Sequence, residues 1–152
     1  MHSRIFQVSM EPINKEEYIC DSDYYDHWFT IEIADYVSED CDREADIEWL
    51  SSCSKGYSIE SDDNGEYLIV TNKEEYFTNA YKRFIEELDK IGRPTLEEFV
   101  NGISLWSLNN ADEDKFSFYI DADGELMTFD AFIRRCVTNE KYYIGGTLDY
   151  HF

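Results

Sequence analysis

The stretch Lys141-Tyr142-Tyr143-Ile144-Gly145-Gly146-Thr147-Leu148-Asp149-Tyr150-His151-Phe152 decides the fold. Tyr142, Ile144, Leu148, Tyr150 and Phe152 all fall on even positions, the two-residue period of an extended strand with one apolar face. Gly145-Gly146 interrupts that pattern, and glycine inside a strand marks a bulge or the close approach of another backbone. A strand of this length needs neighbours, and several other segments alternate in the same way. Residues 3–10 place Phe6, Val8 and Met10 on one side, with Arg4 as a polar exception at the start. Residues 57–61 and 66–71 read as a hairpin around Asp62-Asp63-Asn64-Gly65, because Asn-Gly is the strongest short hairpin signal. Residues 115–121 set Phe116, Phe118 and Ile120 on one side, and Asp121-Ala122-Asp123-Gly124 turns the chain into a short strand, 125–127.

Helical periodicity fills the gaps. The clearest case is 73–91, where Phe77, Ala80, Tyr81, Phe84, Leu88 and Ile91 recur at three- and four-residue spacing. Asn72 caps it, Lys82–Glu86 and Glu86–Lys90 are spaced to pair, and Gly92 and Pro94 end it. Thr95-Leu96-Glu97-Glu98 opens a short helix that stops near Gly102. Asp42, Glu44 and Asp46 suit the first turns of a helix over 42–53, whose stripe is Ala45, Ile47, Leu50, Trp49 and Cys53. Thr128 caps another with Phe129, Phe132, Ile133 and Cys136 inward. Residues 23–37 predict a helix through Tyr25, Trp28, Phe29, Ile33, Tyr36 and Val37, although Phe29–Ile33 also alternates like a strand. Residues 103–114 read as a loop. The sum is an α+β domain over 1–152: a mostly antiparallel sheet of about five or six strands packed with four or five helices.

Charge is the extreme feature. The 152 residues hold 34 acids and 13 bases, a net −21, yet 43% are hydrophobic and 16% aromatic, enough for a packed core and unlike a disordered chain. No apolar run approaches the ~20 residues that span a bilayer, and residues 1–10 lack the apolar block of a signal peptide. The expectation is a cytosolic protein with Cys20, Cys41, Cys53 and Cys136 as free thiols, Cys53 and Cys136 buried on helix faces. Residues 1–76 carry 20 acids and 5 bases, and Glu16 to Glu48 carries 13 acids against Arg43 alone. Such a surface repels nucleic acid and anionic membrane and attracts basic proteins.

No motif for chemistry stands out. Neither GxxxxGK[ST] nor GxGxxG occurs, no serine sits in GxSxG, and the three histidines, His2, His27 and His151, have no triad spacing. No Cys/His cluster suits zinc, and no cofactor is called for. Asp121-Ala122-Asp123-Gly124 looks like the middle of a calcium loop, but Tyr119 and Asp130 stand where the pattern needs an acid and a glutamate. Asp21, Asp23 and Asp26 form the densest group of oxygen ligands and support an alternative reading as a carboxylate- or metal-dependent enzyme.

The remaining feature is acid spacing. Glu32, Asp35, Glu39, Asp42 and Asp46 lie three and four residues apart, which on a helix aligns carboxylates along one face. Duplex DNA presents phosphates in such a row, so an ordered carboxylate row fits a basic groove built for DNA. Tyrosines among the acids, Tyr36 included, supply amphipathic contacts. In charge and size, though in no motif, the chain is similar to the small acidic DNA mimics with which phages and mobile elements block restriction and CRISPR enzymes. The leading expectation is a non-enzymatic binding or inhibitor protein with a basic, nucleic-acid-binding partner, docking through Glu32, Asp35, Tyr36, Glu39, Asp42 and Asp46. A third reading is a module that self-associates through its C-terminal strand.

Overall fold

A computed structural model describes residues 1–112 and 116–152. Its sheet has seven strands: β1 (His2–Ser9), β2 (Tyr36–Ser38), β3 (Tyr57–Asp62), β4 (Gly65–Val70), β5 (Tyr119–Ala122), β6 (Glu125–Thr128) and β7 (Lys141–His151). Their order is β3-β4-β7-β1-β5-β6, with β2 beside β7, and every pairing is antiparallel except β1 with β5. The helices are α1 (Trp28–Glu32), α2 (Arg43–Ser52), α3 (Lys73–Ile91), α4 (Leu96–Asn101), α5 (Trp106–Asp112) and α6 (Phe129–Arg135), with short 3₁₀ turns at Lys15–Glu17 and Asp21–Tyr24. The α+β class and the largely antiparallel sheet agree with the sequence reading.

β7 is the centre of the sheet, and its glycines form the bulge that the sequence suggested, with a side chain rather than a backbone as the close neighbour of Gly145. Phe6 opposes Thr147 and Val8 opposes Ile144, so Gln7 alone faces Gly145 and Gly146. This bulge shifts the side-chain parity of β7 by one. The even-numbered stripe therefore does not share a face. Tyr142 and Ile144 join Phe6, Val8, Leu68, Val70 and Ile120 under α2 and α6. Leu148 and Tyr150 join Ile5, Tyr119 and Leu126 on the opposite face, covered by Tyr24, Phe29 and Ala34. Two cores thus sit on the two faces of one sheet.

The close approach comes from Gln7, which locks the bulge. Its Oε1 accepts from Gly146 N at 2.9 Å and Ile19 N at 3.1 Å, while its Nε2 donates to Glu17 O at 2.9 Å. A Cβ on Gly145 would lie 2.3 Å from Gln7 Oε1 and 2.9 Å from Ile13 Cδ1. Gly145→Ala is expected to destabilise the fold by about 2–3 kcal/mol, from displaced hydrogen bonds and overpacking. Urea unfolding measures this, and a loss below about 0.5 kcal/mol would show that Gln7 moves aside freely.

Both edges of β7 are occupied. β1 covers one, while β4 pairs with residues 141–143 and β2 with 149–151 on the other. In the gap between β4 and β2, Arg43 donates to Ile144 O at 2.8 Å and Gly145 O at 2.7 Å, and also holds Glu66 at 3.0 Å. The only base among the acids of Glu16 to Glu48 therefore completes the sheet. Among the described residues, both edges of β7, on which the sequence reading placed self-association, thus carry partners from this chain.

Four segments differ from expectation. Residues 23–37 form no single helix but a 3₁₀ turn, the five-residue α1 and β2, because only Tyr24, Phe29 and Ala34 reach the core, while Tyr25, Trp28 and Tyr36 are exposed. Helix α5 replaces the predicted loop, packing on α3 through Ala111. In α2, the stripe includes Asp46 beside Ile47 and Leu50, and Ala45, Trp49 and Cys53 face solvent. The strand predicted from 115 begins at Tyr119, and the parts of these readings at 113–115 lie outside the described residues. The caps at Asn72, Thr95 and Thr128 form as expected. Lys82–Glu86 and Glu86–Lys90 do not pair; Lys90 bonds Glu87 instead. Cys136 is buried as predicted.

Candidate functional site

Residues 11–42 run across the face of the sheet that holds Leu148 and Tyr150. They dock by a few anchors. Tyr24, Phe29 and Ala34 are buried, with Ile19 and Ile33 packed against them. Tyr24 donates to Asp121 Oδ2 at 2.8 Å. Burial, then that carboxylate, pushes the Tyr24 phenol far above its ordinary value and keeps it a donor. Asp121 also accepts from Gly124 N at 2.8 Å, so the turn at 121–124 uses its own carboxylate internally.

With the anchors inward, the acids point outward. The segment has eleven acids and one base, Lys15, a net −10. All eleven are exposed except the half-buried Asp21. Among the described residues only one of them, Asp35, forms an ion pair, with His151 at 3.0 Å. Tyr25, Trp28, Ile31 and Tyr36 are exposed among these acids. The arrangement is an irregular acidic band with aromatic interruptions on a rigid sheet.

The six residues singled out by spacing divide into two groups. Glu32 at the end of α1, Asp35, Tyr36 on β2 and Glu39 are exposed within the band. Asp42 is exposed too, but its carboxylate caps α2, accepting from Glu44 N and Ala45 N. Asp46 is buried: Arg4 Nε donates to it at 2.6 Å and Thr147 Oγ1 at 3.0 Å. The spacing that suggested one carboxylate row spans α1, β2, a loop and α2, so no helix aligns it.

Sequence reading did not find the ionic network that Asp46 joins. Arg4 also pairs with buried Asp149, and Asp149 with His2 at 2.7 Å. The one signal was Arg4 itself, polar on the apolar side of β1. Next to this network the two chain ends meet. His2 and His151 are register partners with rings 5.0 Å apart, and Tyr36 stacks on His151 at 5.4 Å. The three aspartates proposed for a metal do not converge: Asp23 accepts from Cys20 N at 2.9 Å, and no group of three or more His, Cys, Asp or Glu placed to hold a metal occurs among the described residues. Burial pushes the thiols of Cys41 and Cys136 upward, which lowers their nucleophilic fraction.

Among the described residues no helix is long and apolar enough to cross a membrane. Comparisons with protein-family models, with curated proteins and with solved structures each find no match to this chain.

Proposed function

We propose that the protein is a non-enzymatic binding or inhibitor protein whose acidic band, residues 11–42, docks a basic surface built for nucleic acid. The observation that carries this reading is the exposure of ten acids that have no lysine or arginine partner among the described residues, on a segment anchored to the sheet. Charges held in place steer a basic partner and raise association rates. Tyr25, Trp28 and Tyr36 offer amphipathic area of the kind that carries binding energy at interface centres. Within the six spaced residues the contact set becomes Glu32, Asp35, Tyr36 and Glu39, while Asp42 and Asp46 hold α2 in place.

The test uses the intact protein to capture basic proteins from a host lysate, followed by affinity measurement on any purified partner. The triple variant Glu32→Gln/Asp35→Asn/Glu39→Gln is expected to weaken the complex by about tenfold to a hundredfold. Added salt weakens it further, because exposed charges are screened over about 10 Å at 0.1 M. Duplex DNA competes for the partner. An affinity indifferent to the substitutions, to salt and to DNA would refute charge mimicry.

A further inference from the structure

The strongest unassigned feature lies on the other side of the sheet. Helix α3 is tethered at its start: Tyr76 and Phe77 pack on the core, Tyr76 donates to Asp130 at 2.6 Å, and Lys73 Nζ donates to Cys136 O at 2.6 Å. Beyond that tether, no residue of α3 or α4 is buried. The arm formed by α3, α4 and α5 exposes Leu96 at 80%, Val100 at 74%, Trp106 at 73% and Phe99 at 68%, with Tyr81 and Leu105 also exposed. An apolar groove between α3 and α5, lined by Phe77, Ala80, Phe84 and Ala111, adjoins them at Tyr81.

From these exposures we infer that the arm is a self-association surface, and that its occupant is a second copy of this chain related by a two-fold axis. Area is the first argument. The six side chains expose on the order of 600 Å² of apolar surface. A stable interface needs about 800 Å² per partner, over half of it apolar, and exposed apolar area of this order on one arm is what such an interface would cover. Charge is the second. Residues 73–112 carry eight acids and five bases, net −3, against net −10 for residues 11–42. A second chain of charge −21 meets less repulsion here than at residues 11–42, whereas a basic partner is drawn to the band on the opposite face. Third, the arm carries unpaired charges of both signs, which a two-fold interface can bring together. Among the described residues Lys82, Arg83 and Arg93 have no carboxylate partner and Glu97 has no cationic one. Each arm therefore offers both signs to its mate. Association here leaves both acidic bands outward, so the dimer would present two docking sites to an extended or multivalent target.

Sedimentation equilibrium over a concentration series tests this on the full chain. The expected species is a dimer of twice 18.0 kDa. Leu96→Lys with Phe99→Lys is expected to raise the dimer dissociation constant by about a hundredfold. Because both side chains are exposed in the single chain, circular dichroism and melting of the variant should match the dissociated wild type. A wild-type mass of 18.0 kDa throughout, a mass that grows without limit, or a dimer that the two lysines leave intact would overturn the inference. None of these outcomes bears on the acidic band.

Discussion

Arg4→Met is expected to lower the free energy of unfolding by about 3–5 kcal/mol. Arg4 bridges two carboxylates, Asp46 at 4% exposure and Asp149 at 7%. Methionine keeps an apolar chain of similar length but loses the guanidinium that lies over the Trp49 ring, 5.7 Å from its centroid. It removes the guanidinium and leaves two buried acids that keep only neutral or weak partners among the described residues: Thr147 and Cys41 on Asp46, and His2 on Asp149. A buried charge stripped of its partner costs far more than the pair contributes, since the intact pair only offsets its own desolvation. The double variant Arg4→Met/Asp46→Leu should therefore recover part of the loss. For a chain of this size the single variant should melt roughly 10 °C lower. Urea unfolding of both variants checks the claim, and a single-variant loss under about 1 kcal/mol would mean that water already screens the network.

Gly56→Ala is expected to cost a similar ~3–5 kcal/mol by a different route. Gly56 joins α2 to β3 with φ +73, a backbone conformation that side chains disfavour. The neighbouring atoms make it worse. A Cβ there would lie 2.1 Å from Asn72 O and 2.8 Å from Tyr76 N, both backbone. Gly56 O also accepts from Thr71 N and Asn72 N at 2.9 Å. Relief of the clash must therefore move the junction of β4 and α3, where Asn72 caps the helix. Gly92→Ala serves as the comparison. Its φ is +59, but the nearest atom to its Cβ is Asp89 O at 3.7 Å. It should show the conformational cost alone, about 1–2 kcal/mol. Equal losses at the two positions would sink the steric argument. Because α3 starts at this junction, Gly56→Ala should also loosen the arm and speed hydrogen exchange across residues 73–91.

Elements with local signals were legible in the sequence to within a residue or two. Asn72, the three- and four-residue apolar spacing and Gly92 define α3. Thr128 and the Phe129, Phe132, Ile133 stripe define α6, and Asn64-Gly65 joins β3 to β4. Caps, turns and helical periodicity act over a few residues, so a single chain segment carries the whole signal. The segment 23–37 lacked that internal consistency, with strand and helix periods both present, and long-range packing resolved it. The candidate acidic site was legible as composition but not as geometry. Spacing identified the acids, while their faces depended on which residues anchored the segment.

The amino-acid sequence alone determined a packable α+β chain of high negative charge, the positions of its capped helices and hairpin, and the presence of an irregularity at Gly145-Gly146. Tertiary structure decided that this irregularity sends the two halves of β7 to opposite cores, that Asp46 is an internal ion while Glu32, Asp35 and Glu39 are surface, and that α4 stays exposed while no residue of distal α3 is fully buried. The reason is distance along the chain. Gln7 with Gly146, and Arg4 with Asp46 and Asp149, meet across separations of 139, 42 and 145 residues. No local period encodes such a meeting, and burial and neutralisation of a charge are properties of the partner it finds.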